Sequence, residues 1–253
     1  MNSRIRIVML AIFFHVFANA AVAGEVRVAV ATNFRTTLQE IVAGFEEDTG
    51  RTVAVSSGSS GKLYAQIRHG APFDVFLSAD VERPKLMEEE GLAVRGSRFT
   101  YAVGRLTLWS ADPNTIKSDG ASALSNGRIE HLAIANPKTA PYGAAAQRTL
   151  QALGLWNGLK SRIVQGENIG QTFQFVFSRN AQLGFVALSQ VLDPKIKGTG
   201  SRWDVPAKYH APLRQQAVLL VRGKNNEAAK AFLGYVKGPK ARKIIERFGY
   251  GIE

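Results

Sequence analysis

Residues 26–61, VRVAVATNFRTTLQEIVAGFEEDTGRTVAVSSGSSG, decide the fold. Val26, Val28 and Val30 alternate along a short β-branched run, which predicts a strand. The run passes through Ala31-Thr32-Asn33 into a segment where Phe34, Leu38, Ile41, Val42 and Phe45 recur at helical spacing, and Thr49-Gly50 marks the stop. The unit then repeats. Residues 52–56 predict a second strand, Ser57-Gly58-Ser59-Ser60-Gly61 a turn, and 62–69 a helix, before Asp74-Val75-Phe76-Leu77 supplies a third strand.

Farther along, Leu132-Ala133-Ile134-Ala135 leads through 136–141 into an Ala-rich helix over 142–153, closed by Gly154. Ile163-Val164 leads through 166–169 into a helix over 170–179, with Phe173, Val176 and Phe177 on one face. Strands alternating with helices imply mostly parallel sheets covered by helices, that is, an α/β protein. Such sheets place ligands beyond the carboxyl ends of their strands. Residues 195–212 hold Gly, Pro and Lys and are expected to be irregular. Asn225-Asn226-Glu227 is expected to cap a helix carrying Ala231, Phe232, Tyr235 and Val236, and a last helix follows over 239–248. No linker, low-complexity tract or repeat divides the chain.

Residues 1–23 are expected to be a secretory signal peptide. Arg4 and Arg6 form a charged start, an apolar run follows, and Ala21-Val22-Ala23 gives a small-residue cleavage pattern. His15 and Asn19 interrupt a stretch already shorter than the roughly 20 residues a spanning helix needs. Export is therefore expected, with a mature chain of residues 24–253. Removing Arg4 and Arg6 lowers the formal net charge from +12 to +10. The remaining Lys and Arg are scattered, without interleaved stacking aromatics, which argues for a basic surface that attracts small anions rather than a nucleic-acid interface. Cysteine is absent, so an apolar core must supply the stability, and no lipid anchor on an N-terminal cysteine is available.

Four strand-to-helix turns are built from hydroxyl, amide and glycine residues with hardly a charge among them: Thr32-Asn33, Ser57 to Gly61, Ala140-Pro141-Tyr142-Gly143, and Asn168-Ile169-Gly170. The first N–H groups of a helix lack partners and its dipole adds positive potential there, so such an end binds an anion without a charged side chain. Ser, Thr and Asn are also the ordinary caps of any helix, and the pattern alone leaves both readings open.

Competing chemistries fail on inspection. Ser59-Ser60-Gly61-Lys62-Leu63 has the look of a phosphate loop, but that motif needs Gly at Ser56 and Ser or Thr at Leu63. His15, His69, His131 and His210 show no metal-ligand spacing, and no G-x-S-x-G elbow is present. Asp74 and Asp80 around a strand end are expected in turn or cap roles rather than as a glycosidase pair. Glu88-Glu89-Glu90 is a solvated helix end, and Trp109, Trp156 and Trp203 are too dispersed for a sugar platform. No catalytic residue, metal ligand or cofactor is expected; an exported enzyme on the same scaffold is the weaker alternative.

Gly70-Ala71-Pro72-Phe73-Asp74-Val75-Phe76-Leu77-Ser78-Ala79-Asp80 closely resembles a segment of the periplasmic molybdate-binding proteins of ABC transporters. The turn from Ser57 to Leu63, Ala181-Gln182-Leu183-Gly184-Phe185-Val186, the run from Ala231 to Pro239 and Arg247-Phe248-Gly249-Tyr250 extend the likeness over the mature chain. The resemblance implies a two-lobed periplasmic-binding-protein fold (type II-like), two α/β domains with mixed sheets closing over the anion like a hinged clamp. It implies lobe I from 24–102 plus 210–253 and lobe II from 103–209, with crossings near Ala102 and His210.

The same resemblance implies anion contacts at Asn33 and Ser60 in one lobe and at Tyr142 and the backbone of Ile169 in the other, with Thr32 assisting. Its ligand is molybdate or tungstate, its partner an ABC-transporter membrane permease, and a monomer is expected. Where many relatives carry a tyrosine after Gly-x-Val, this chain has Ala187. The Tyr142 hydroxyl is the expected substitute. A fully ionised oxyanion has only acceptors, so a pocket of donors suits it, whereas protonated phosphate needs a carboxylate acceptor. Glu167 is the carboxylate nearest the turns and must point away. Sulfate, or another tetrahedral oxyanion, stays open, because pocket volume decides it.

Overall fold

The structure, a computed structural model, describes residues 24–117, 119–125 and 129–253. The expected signal peptide lies outside the described residues. Among those described, no helix is long and apolar enough to cross a membrane.

Among the described residues, ten strands and ten α-helices follow in chain order. They are β1 (Val26–Ala31), α1 (Arg35–Thr49), β2 (Val53–Gly58), α2 (Ser60–Arg68), β3 (Val75–Ser78), α3 (Glu82–Glu89), β4 (Phe99–Gly104), β5 (Leu106–Ser110), α4 (Gly120–Ser125) and β6 (Leu132–Ala135). Then come α5 (Pro141–Ala152), α6 (Trp156–Leu159), β7 (Ile163–Gly166), α7 (Ile169–Phe177), β8 (Leu183–Ala187), α8 (Leu188–Val191), β9 (Ser201–Asp204), β10 (Leu213–Leu219), α9 (Glu227–Lys237) and α10 (Pro239–Arg247).

Two five-stranded mixed sheets result, ordered β2-β1-β3-β10-β4 and β7-β6-β8-β5-β9. In the first, β1 runs parallel to β2 and β3, and β10 is antiparallel to β3 and β4. The second repeats the plan: β6 is parallel to β7 and β8, and β5 is antiparallel to β8 and β9. The chain passes between sheets at Arg105, between β4 and β5, and returns between β9 and β10. Each sheet carries helices, making two α/β lobes with mixed sheets.

The local chemistry explains the elements. Helix α1 buries Leu38, Ile41, Val42 and Phe45, the stripe read from spacing, and ends at Gly50, whose φ of 66° is the left-handed conformation glycine adopts cheaply. Phe45 meets Phe232 of α9 edge to face at 5.2 Å, joining both helices to the core over β1 and β3. A separate core under the second sheet gathers Leu106, Leu108, Leu132, Ile134, Leu150, Leu183 and Phe185. Each large apolar side chain fully buried contributes roughly 1.5–3 kcal/mol, and each sheet has a core of its own.

Two expectations need correction. The turn expected over Ser57 to Gly61 shrinks to Ser59, because β2 continues to Gly58 and α2 starts at Ser60. Residues 195–212 are not wholly irregular: Ser201–Asp204 forms edge strand β9, where Trp203 pairs opposite Leu108.

Candidate anion site

All four polar turns lie at the carboxyl ends of parallel strands. β1 runs into Thr32, β2 into Ser59, β6 towards Ala140, and β7 into Asn168. The two sheets face each other with these ends inward, and one small cavity between them is lined by Ala31, Thr32, Asn33, Gly58, Ser59, Ser60, Ala79, Ala140, Pro141, Tyr142 and Ile169. All five predicted contact residues, Thr32, Asn33, Ser60, Tyr142 and Ile169, therefore line the same space. Its volume of about 10 Å³ is close to the least that holds a single water molecule and far below the about 300–1,000 Å³ an organic ligand takes.

No charged side chain lines this cavity. Its positive potential comes from the starts of α2, α5 and α7 and from the single 3-10 turn Thr32–Phe34 ahead of α1, and none of the four has an acid in its first turn. Cap chemistry leaves selected donors over. The Asn168 side chain accepts from the Gly170 and Gln171 N–H groups at 2.9 and 3.0 Å, and Thr172 N–H reaches the Asn168 carbonyl. Ile169 N–H is the first-turn donor this cap does not engage. Ser60 Oγ accepts from Ala79 N–H at 2.9 Å, so its own proton is free to be donated. Thr32 Oγ1 is buried and has no hydrogen-bond partner in the protein. Such a group costs stability unless something bound accepts from it.

Asn33 plays a different part from the one its side chain suggests. Its Nδ2 donates to Gln215 Oε1 at 2.8 Å and to the Tyr250 hydroxyl at 3.1 Å, which uses both amide hydrogens. What Asn33 can offer the cavity is its backbone N–H. The Tyr142 hydroxyl accepts from Gln215 Nε2 at 3.1 Å, which holds the phenol in place and leaves its own proton free to be donated. Burial pushes the phenols of Tyr142 and Tyr101 well above their ordinary range, and that of Tyr250 upward, so all three stay neutral at working pH. Ala187 ends β8 outside the cavity lining.

Carboxylates stay out. Glu167, exposed at the mouth, pairs with Lys62 from the opposite lobe. Asp80 receives Arg83 N–H and the Arg83 guanidinium, and buried Asp74 receives Arg27 N–H and Arg222, so both are structural acceptors. The lobes meet directly around the cavity: Gly61 N–H donates to Thr139 carbonyl at 2.9 Å, and a Cβ at Gly170 would collide with Thr32 Cγ2. Among the described residues no group of three or more His, Cys, Asp or Glu could hold a metal ion.

Sequence reasoning missed Ala79 in the lining and the buried polar group behind it, Tyr101, Ser189, Gln215 and Tyr250. One signal was available: along β10 the inward positions Leu213, Gln215 and Ala217 are buried, and a glutamine in such a row requires buried partners.

Known proteins resemble this chain in sequence and in fold. The chain is 53% identical over 237 residues, 93% of each chain, to the molybdate-binding protein ModA of Azotobacter vinelandii. It is 51% identical to its Rhodobacter capsulatus counterpart, covering 92% of this chain and 90% of that one. A solved structure of the Azotobacter vinelandii periplasmic molybdate-binding protein superposes with TM-score 0.87 at 43% identity, over 90% of this chain and 99% of that one. The sulfate-binding protein SubI of Mycobacterium tuberculosis, with TM-score 0.76 at 11% identity over 89% of this chain and 86% of that one, shares the fold. The family model described as bacterial extracellular solute-binding protein matches residues 26–251, and the chain belongs to that family.

Proposed function

We propose that this protein captures molybdate or tungstate in the periplasm and presents it to the membrane permease of an ABC importer, acting as a carrier rather than a catalyst. Two lobes, joined by crossings at Arg105 and between β9 and β10, close on the anion. Removal of residues 1–23 precedes this, and the working form is a monomer without a cofactor. One observation carries the reading: four helix starts without an acid in the first turn, two from each lobe, converge on one small cavity that no carboxylate enters.

The physical chemistry is that of a preorganised donor cage. Thr32 Oγ–H, Ser60 Oγ–H and the backbone N–H groups of Asn33, Tyr142 and Ile169 all donate, and a doubly charged tetrahedral oxyanion only accepts. Helix dipoles supply the opposing potential without counter-ions that would have to be desolvated. Hydrogen phosphate is disfavoured for want of a carboxylate to accept its proton. The relatives' names support molybdate over sulfate; the fold shared with the sulfate carrier does not choose.

Thermal unfolding with molybdate, tungstate, sulfate and phosphate in turn tests the reading. Molybdate at about 100 times its dissociation constant is expected to add roughly 2.7 kcal/mol of stability. Equal stabilisation by sulfate would reassign the anion, and no stabilisation by any oxyanion would remove the function.

A further inference from the structure

Behind the cavity lies a buried polar cluster that joins the lobes: Asn33, Tyr101, Gln215 and Tyr250 from one side, Tyr142 and Ser189 from the other, each at most 5% exposed. Gln215 Oε1 accepts from Asn33 Nδ2 at 2.8 Å and stands 3.0 Å from the Tyr101 hydroxyl, which fixes the carboxamide and turns Nε2 towards Tyr142. Across the cleft, Ser189 Oγ–H donates to the Asn33 carbonyl at 3.0 Å and its oxygen accepts from the Tyr250 hydroxyl at 2.9 Å. The Tyr142 phenol reaches Gln215 past Gly104, the last residue before the crossing to the second lobe. A Cβ there would overlap the phenol oxygen and the Gln215 amide. Asn33 and Tyr142 each join the cluster and line the cavity, so lobe docking and the cage share the same two residues.

We propose that the Tyr142–Gln215 and Ser189–Asn33 contacts form an interlobe clasp that sets how long the closed state lasts. Gln215 and Ser189 are positioning residues, and the Tyr142 phenol oxygen serves closure by accepting from Gln215. The inference rests on the capture function above. Both contacts require the lobes together, so they add to the closed state whatever oxyanion occupies the cage. Losing either one costs a net hydrogen bond, about 1 kcal/mol, or roughly fivefold in affinity.

The test titrates molybdate, tungstate and sulfate against the unsubstituted protein, Tyr142→Phe, Ser189→Ala and Gly104→Ala, with stopped-flow association and dissociation rates. The clasp predicts that each variant weakens every anion that binds by one common factor, about fivefold for the first two. The loss sits in the dissociation rate, and the rank order of anions is kept. Ser189 does not line the cavity, so its effect cannot be a lost anion contact. Unchanged dissociation constants in both Tyr142→Phe and Ser189→Ala overturn the clasp, as does a changed ratio between anions in Tyr142→Phe. Circular dichroism confirms the fold of each variant, and either of the first two suffices alone. Failure of the unsubstituted protein to bind any oxyanion removes the capture function instead, and the clasp with it.

Discussion

Replacing Thr32 by valine separates binding from stability with opposite signs. Thr32 Oγ1 is buried without a partner, so in the protein alone it bears a desolvation cost and returns nothing. Valine keeps the shape and removes the cost. With the anion bound, the same hydroxyl donates to a charged acceptor, a bond worth about 1.5–3 kcal/mol, which corresponds to roughly 10- to 150-fold in affinity. Without anion, the melting temperature of Thr32→Val is expected to hold or rise, by about 2–4 °C for each kcal/mol regained in a chain of this size. Calorimetric titration with molybdate gives the affinity, and scanning calorimetry of the anion-free protein gives the stability. A variant that melts lower yet binds molybdate as before would refute the assignment, since Thr32 would then be a structural hydroxyl.

Other perturbations follow from the same geometry. Gly170→Ala gains helix propensity of about 1 kcal/mol in α7, yet its Cβ strikes Thr32 Cγ2 from the other lobe. Molybdate affinity is expected to fall at least tenfold with the fold intact, and unchanged affinity would mean that the lobes need not approach so closely. Lys62→Ala removes an ion pair across the mouth whose members are both about half exposed, so the loss should stay within about fivefold and shrink further in salt. A hundredfold loss in a titration at 0.5 M salt would instead put Lys62 on the anion. Burial raises the Tyr101, Tyr142 and Tyr250 phenols above 10. Above pH 10 the folded state therefore holds more protons than the unfolded chain, and stability declines as pH rises, being complete below about pH 10. Urea midpoints measured from pH 8 to 11 should be level and then fall, less steeply in Tyr142→Phe; a fall beginning near pH 8 would contradict this origin.

Much of the site was legible because strand, turn and helix follow directly from local pattern. The Thr32, Ser60, Tyr142 and Ile169 turns each sit where a parallel strand ends, and the alternation of β1, α1, β2, α2 and β3 is written in consecutive residues. The antiparallel strands β4, β5, β8, β9 and β10 were harder, because their partners lie far off in sequence: Leu213 pairs with Gly104 and Trp109 with Gly184. Trp203 shows the difficulty within a single strand, since β9 has four residues among Gly, Pro and Lys and is defined by Leu108 opposite it. Side-chain direction was likewise out of reach. Asn33 and Tyr142 carry polar groups that local reasoning aims at the anion, but Gln215, which hydrogen-bonds to both, lies 182 and 73 residues away.

The central claim is that neutral donors at helix starts suffice to hold a fully ionised oxyanion. Titration calorimetry of residues 24–253 with molybdate, sulfate and phosphate, each at pH 7.5 in two buffers of different ionisation enthalpy, examines it most directly. One molybdate per chain, no proton exchange with buffer and no heat from phosphate is the expected result. Phosphate binding comparable to molybdate, or proton uptake on binding, would contradict it.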